Sequence, residues 1–193
     1  MRYKEFNPNR VLELVIPLFW KHGFAACPIS EIVETTSVNR FSLYEEFENK
    51  EGVLYAAMEL YKKRYSSKMV ELLDREGEVI DVVLNCYNEY FKDKDKHFPG
   101  DFIIHISTEM ADSDPHVKSL LEEYLEIIEN KLVSLLSTDA RWRDNSKTLA
   151  KHILGLFCTS MSFCLIHSEE FRTNFIKNGI NVILKPQKHA QTA

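Results

Sequence analysis

The 193-residue sequence predicts an all-α protein: an N-terminal three-helix head containing a helix-turn-helix, then a C-terminal helical bundle, about nine helices in total. Three observations carry that prediction. Apolar residues recur at helical spacing through most of the chain. Glycine and proline are few, six of each, so helix-breaking points are far apart. Between Pro28 and Lys50 two short helical patterns almost touch, and a link that tight makes them cross at a wide angle.

A first helix is expected over 8–22. Asn7 can cap it, and Pro8 sits at its first position, where a missing N–H does no harm. Val11, Leu12, Val15, Leu18 and Phe19 make its apolar face. Pro17 lies inside and is expected to kink it, and Gly23 to end it. A second helix, 28–35, turns Ile29, Ile32 and Val33 inward. Thr36, Ser37 and Val38 form the link, and Asn39 caps a third helix over 40–47. Leu43 and Phe47, one turn apart, face the core, while Phe41, Tyr44, Glu45 and Glu48 lie opposite with Ser42 flanking. Asn49 caps a long fourth helix, 50–73, with Val53, Leu54, Ala57, Met58, Tyr61 and Tyr65 as its inward stripe and Lys62, Lys63, Arg64 and Lys68 as a solvated basic face.

The stretches H-G-F (22–24), I-S-E-I-V (29–33), S-V-N-R-F-S-L-Y-E-E-F (37–47) and N-K-E (49–51) resemble the tetracycline-repressor (TetR) family of bacterial transcriptional regulators. The resemblance implies a DNA-binding head over 1–48 and a ligand-binding, dimerising body over 49–193. It also implies that the third helix enters the major groove, with Asn39, Arg40, Phe41, Ser42, Tyr44, Glu45 and Lys50 as the DNA-binding residues. Phe41 can pack on a thymine methyl, Tyr44 can bond a phosphate, and Arg40 can reach a phosphate or a guanine edge. Lys50 begins the next helix, where amide ends and an ammonium make an anion site. The chain departs from the family pattern at Ser37, where a turn glycine is usual, at Phe41, where small residues or proline are common, and at Glu45 and Glu46, usually neutral or His-like. A carboxylate there is repelled by phosphates, or accepts from a cytosine amino group.

Further helices are expected over 79–92 and 101–111, separated by a solvated D-K-D-K link at 93–96 and a turn at Pro99-Gly100. G-D-F-I-I-H-I-S-T-E-M-A-D-S-D-P resembles a stretch of the family's sensory domain, which often has Cys where this chain has Asp101. Asp114 caps a helix to about 136, with Pro115 at its first position. Two last helices are expected, 145–166 and 170–184. The first is apolar on most sides and rich in small residues (Ala150, Gly155, Thr159, Ser160, Ser162), which calls for a partner on both faces. By resemblance these two helices pair with their copies in a homodimer. Pro186 ends the last helix before a frayed tail.

Composition bounds the rest. An apolar fraction of 45% and a charged fraction of 27% are ordinary for a globular protein. No apolar run reaches the ~18 residues of a membrane span, and the first residues lack a signal peptide's apolar core, so a cytoplasmic protein is expected. The net charge is −5, and the first fifty residues carry six basic against seven acidic groups. DNA binding must therefore rest on where charges sit, not on their sum. Four cysteines, Cys27, Cys86, Cys158 and Cys164, show no C-x-x-C spacing and read as small buried apolar residues. His105 with Glu109, and Asp112, Asp114 and His116, lack the further ligands a metal needs. No nucleophile elbow or phosphate loop is present, so no enzyme and no cofactor are expected.

The expected function is a homodimeric repressor, released from a palindromic operator in double-stranded DNA by a small-molecule inducer. The inward-face candidates for that inducer are Tyr87, Phe102, His105, Glu109, Trp142 and Phe157. The competing expectation is a ligand- or protein-binding helical dimer whose acidic head has lost DNA binding.

Overall fold

A computed structural model describes residues 6–92, 100–162 and 166–185. Among these residues the chain forms nine α-helices and no strand: α1 (Pro8–Ala26), α2 (Ile29–Thr36), α3 (Arg40–Phe47), α4 (Lys50–Leu73), α5 (Val79–Lys92), α6 (Phe102–Met110), α7 (Pro115–Ser137), α8 (Ser146–Ser162) and α9 (Glu169–Ile183). The all-helical expectation holds. The D-K-D-K link, Pro99, Cys164, Pro186 with its tail, and Arg2, Lys4 and Glu5 lie outside the described residues.

Local chemistry sets these boundaries. Asn7 Oδ1 accepts from the Arg10 amide at 3.3 Å, and Pro8 opens α1. Asn49 Oδ1 accepts from the Gly52 amide at 2.7 Å to start α4. Asp114 Oδ1 accepts from His116 and Val117 at 2.9 and 3.3 Å to start α7. The break in α1 falls at Gly23 (φ 75°, ψ 173°) and not at Pro17, whose backbone stays helical. Pro17 removes one N–H, a loss that a long helix absorbs, whereas a left-handed φ turns the chain outright.

The helices divide into two compact units. One contains α1, α2, α3, α4 as far as Ser66, α6, and α7 as far as Tyr124. Here α1 packs on α2 and α6, and α2 on α3. Its core is lined by Val15, Phe19, Ile32, Leu43, Leu54, Met58, Phe102, Ile106 and Val117, all fully buried. Within that core sits a charge. Asp101 is 3% exposed and caps α6: Oδ1 accepts from the amides of Ile103 (3.0 Å) and Ile104 (3.2 Å), and Oδ2 from the hydroxyls of Tyr61 and Tyr124, both at 3.0 Å. Burial holds the Tyr61 phenol far above its ordinary pKa, so it stays a donor. A buried carboxylate survives only when its lone pairs are filled this way.

The other unit contains α4 from Ser67, α5, α7 from Leu125, α8 and α9. In it α9 packs on α5 and α8, and Gly179 gives Leu156 room: a Cβ there would lie 2.5 Å from Leu156 Cδ2. Helix α8 is not apolar on most sides, as expected from its composition. Ser146, Ala150, Ile153, Leu154, Phe157, Ser160 and Met161 form one buried stripe, and Lys151, His152, Gly155, Thr159 and Ser162 form a small, polar outer face. Gly155, Thr159 and Ser162 lie on that outer face, whereas Ala150 and Ser160 lie in the buried stripe. No described helix is long and apolar enough to cross a membrane.

Asp101→Ala should destabilise the protein by about 3 kcal/mol, because it removes a helix cap and the acceptor that two buried hydroxyls share. Tyr124→Phe, which deletes one donor, should cost about 1 kcal/mol. Urea unfolding of both variants checks the ratio.

Candidate nucleic-acid interface

Helix α3 has eight residues, too few to be stable alone in water. It is held from behind and at both ends. Leu43 is fully buried and Phe47 is 9% exposed. Asn39 Oδ1 accepts from the Ser42 amide at 2.9 Å. Before it, the Thr36 hydroxyl donates to the Ile32 carbonyl at 2.7 Å and accepts from the Val38 amide at 3.3 Å. Ser37 then takes a left-handed conformation, φ 56° and ψ 21°, in the place of the turn glycine. After α3, Glu48 stands at φ 70°, ψ −54°, and the Asn49 amide donates to the Phe47 carbonyl at 2.8 Å. That is a γ-turn of the strained kind. Gly52 completes the junction, since a Cβ there would collide with the Phe47 carbonyl. Ser37 and Glu48 are the non-glycine residues with positive φ among the described residues, and they bracket the same helix.

The opposite side of α3 is open. Phe41 is 64% exposed, a large apolar ring at the front of a polar helix. Arg40 is exposed and its guanidinium lies 5.0 Å from the Tyr44 ring centroid, which limits its swing. Ser42 and Tyr44 are half-buried at the edge, Asn39, Glu45 and Glu46 are exposed. Glu48 is not on the outward helix face, as the periodicity implied, but in the γ-turn. The cap at Asn49 was the available signal, because a residue preceding a cap leaves the helical path.

Lys50 has a partner that the sequence did not suggest. Its Nζ donates to the Phe24 carbonyl at 2.6 Å and stands 4.3 Å from the centre of the Phe24 ring. Its ammonium thus braces the end of α1 rather than pointing freely outward. Glu109, too, is tied to the end of α1. Its Oε2 and Oε1 accept from the amides of Phe24 and Ala25, both at 2.8 Å.

The other small-molecule candidates fall in both units. Phe102 is fully buried, 5.8 Å from the Trp20 ring and 5.4 Å from Tyr61. His105 is half-buried on α6. In the other unit Tyr87 and Phe157 are buried with ring centroids 5.5 Å apart, and Trp142 donates through Nε1 to the Leu184 carbonyl at 3.3 Å. Cys27 and Cys86 are buried free thiols. Burial raises the pKa of Cys86 to about 12 and that of Cys27 above its usual range. Neither is therefore a ready nucleophile. Among the described residues no three His, Cys, Asp or Glu are grouped to hold a metal ion.

A short capped helix with a buried back, an exposed front and a tight link to its predecessor defines a helix-turn-helix protein. Residues 15–58 match the bacterial regulatory proteins of the tetR family. The HTH-type transcriptional repressor ComR of Escherichia coli K12 is 34% identical over 86 residues, 45% of this chain and 41% of that protein. The HTH-type transcriptional repressor NemR of the same organism is 26% identical over 106 residues, 53% of each chain. This chain thus matches about half the length of these relatives. A TetR-family regulator from Streptomyces coelicolor, SCO4454, shares the fold at 16% identity with TM-score 0.78, covering 91% of this chain and 93% of that one. The TetR-family regulator CifR, solved with a 26-bp double-strand operator DNA, shares it at 16% identity and TM-score 0.78, covering 94% and 98%. Over residues 15–58 the chain matches the tetR family, and the helical fold around them is that of the TetR-family structures.

Ser37→Gly and Glu48→Gly should each stabilise the protein by about 0.5–1 kcal/mol, as relief of a left-handed non-glycine backbone outweighs the added chain entropy. Urea midpoints measure this.

Proposed function

We propose that this protein is a cytoplasmic, DNA-binding transcriptional regulator: a homodimeric repressor that a small molecule releases from a palindromic operator. The observation that carries the proposal is the outward face of α3, with Arg40, Phe41 and Tyr44 presented while Leu43 and Phe47 are buried behind them. The tetR-family match over residues 15–58, the repressor names of ComR and NemR, and the operator complex of CifR support it. Residues 1–48 act as the reading head and 49–193 as the sensing and dimerising body. Asn39 holds the helix start, Arg40 and Ser42 reach phosphate or base edges, Phe41 packs on a thymine methyl, Tyr44 bonds a phosphate, and Glu45 filters base sequence. Lys50 contributes by fixing the helix's rear. In the dimer two recognition helices stand about 34–36 Å apart, matching successive major grooves. An inducer shifts the equilibrium by its differential affinity for a second arrangement of the body. The dimer forms through α8 and α9, where Gly155 faces open space and Val182 is 74% exposed.

In a gel shift on the protein's own upstream DNA, Arg40→Ala should weaken specific binding about tenfold or more, as loss of one good base or phosphate contact does. Glu45→Ala should strengthen binding at low salt. Affinity should fall steeply as salt rises. No shift even at low salt would instead mark a helical dimer that does not use DNA. Separately, Val182→Glu should lower the sedimentation coefficient from dimer towards monomer at micromolar concentration.

A further inference from the structure

Gly23 turns the α1 backbone out of its helix, and the amides that follow, Phe24 and Ala25, are both taken by the carboxylate of Glu109, on the last turn of α6. The carboxylate spans them symmetrically, one oxygen per amide, at 2.8 Å each. A Cβ on Gly23 would lie 2.7 Å from Glu109 Oε2, so glycine is required both for its φ of 75° and for the approach of the carboxylate. The other end of the Phe24 residue is held too. Its carbonyl receives Lys50 Nζ at 2.6 Å, and its ring lies under the same ammonium. Lys50 follows α3 after only the Glu48 turn and Asn49. One residue is thus gripped by an anion from α6 on its N–H side and a cation from the start of α4 on its C=O side.

From this geometry we propose that Glu109 is a positioning residue: it locks the exit of α1 to α6 and, through Phe24 and Lys50, sets the seat of the recognition helix. This deepens the regulator function proposed above and rests on it. The lock is short-ranged. A displacement of α6 by about 1 Å carries both bonds beyond hydrogen-bond length, so α6 has a clamped and a released relation to α1 rather than a graded one. An effector that favours one of the two biases the head with it.

The test uses the full-length protein and Glu109→Gln, which keeps size and shape but offers a single acceptor and no charge. Asp112→Asn, which removes a nearby exposed charge outside the clamp, is the control. Two readouts are taken: amide hydrogen exchange at Phe24 and Ala25, and affinity for the upstream DNA at low salt. Removing a carboxylate by charge alone raises DNA affinity, as the control should show. The clamp demands the opposite sign. Glu109→Gln should speed exchange at Phe24 and Ala25 at least tenfold, leave exchange in α4 and α7 unchanged, and lower DNA affinity several-fold. Unchanged exchange at the two amides overturns the clamp. Faster exchange with DNA affinity equal to or above wild type overturns the positioning role. A wild-type chain that binds no upstream DNA sinks the regulator function, and with it the DNA half of the proposal, while the exchange result still decides whether Glu109 holds α1.

Discussion

The outward face of α3 depends on burying two side chains, Leu43 and Phe47, behind a helix of eight residues. A helix that short does not pay its own nucleation cost in water. It exists because its back is inside a core shared with Ile32 and Phe19, and because its ends are closed by Asn39 on one side and the Glu48 turn on the other. The backbone at Ser37 and Glu48 is held in conformations that non-glycine residues avoid. That cost falls on the two residues that decide where α3 begins and ends, and the packing behind Leu43 is what sustains it.

Charge is arranged by the same logic. The chain as a whole is acidic, at −5, and Glu45 and Glu46 stand exposed on α3 itself. Arg40, steadied over Tyr44, is an exposed cation of α3, whereas Lys50 is drawn back to α1. Deeper in, two tyrosine hydroxyls and two amides at a helix start all bond to the buried carboxyl of Asp101. Its value is orientation, since one carboxylate ties together points on α4, α6 and α7.

Most helix boundaries were legible because they depend on near neighbours in sequence. Asn7, Asn39, Asn49 and Asp114 each cap the helix that follows, and the spacing of Leu43 and Phe47 assigned the buried side of α3 correctly. What was not legible depends on partners far along the chain. Glu109 meets Phe24 across 85 positions and Tyr61 meets Asp101 across 40. Periodicity says which way a side chain faces, not which group it finds there. The bonds of Glu109 to Phe24 and Ala25 and of Lys50 to Phe24 are of this long-range kind. The same holds for α8, whose composition counts small residues without saying on which side of the helix they fall.

The separation of the two faces of α3 has a bearing on how such proteins diversify. The side chains at Arg40, Phe41 and Glu45 are exposed and carry little of the fold's stability, while the parts that hold the helix in place lie behind it or beyond its ends. Exchanges at the front are therefore nearly free of folding cost. A descendant copy of the gene can change the chemistry of this exposed face one substitution at a time, staying well folded at each step.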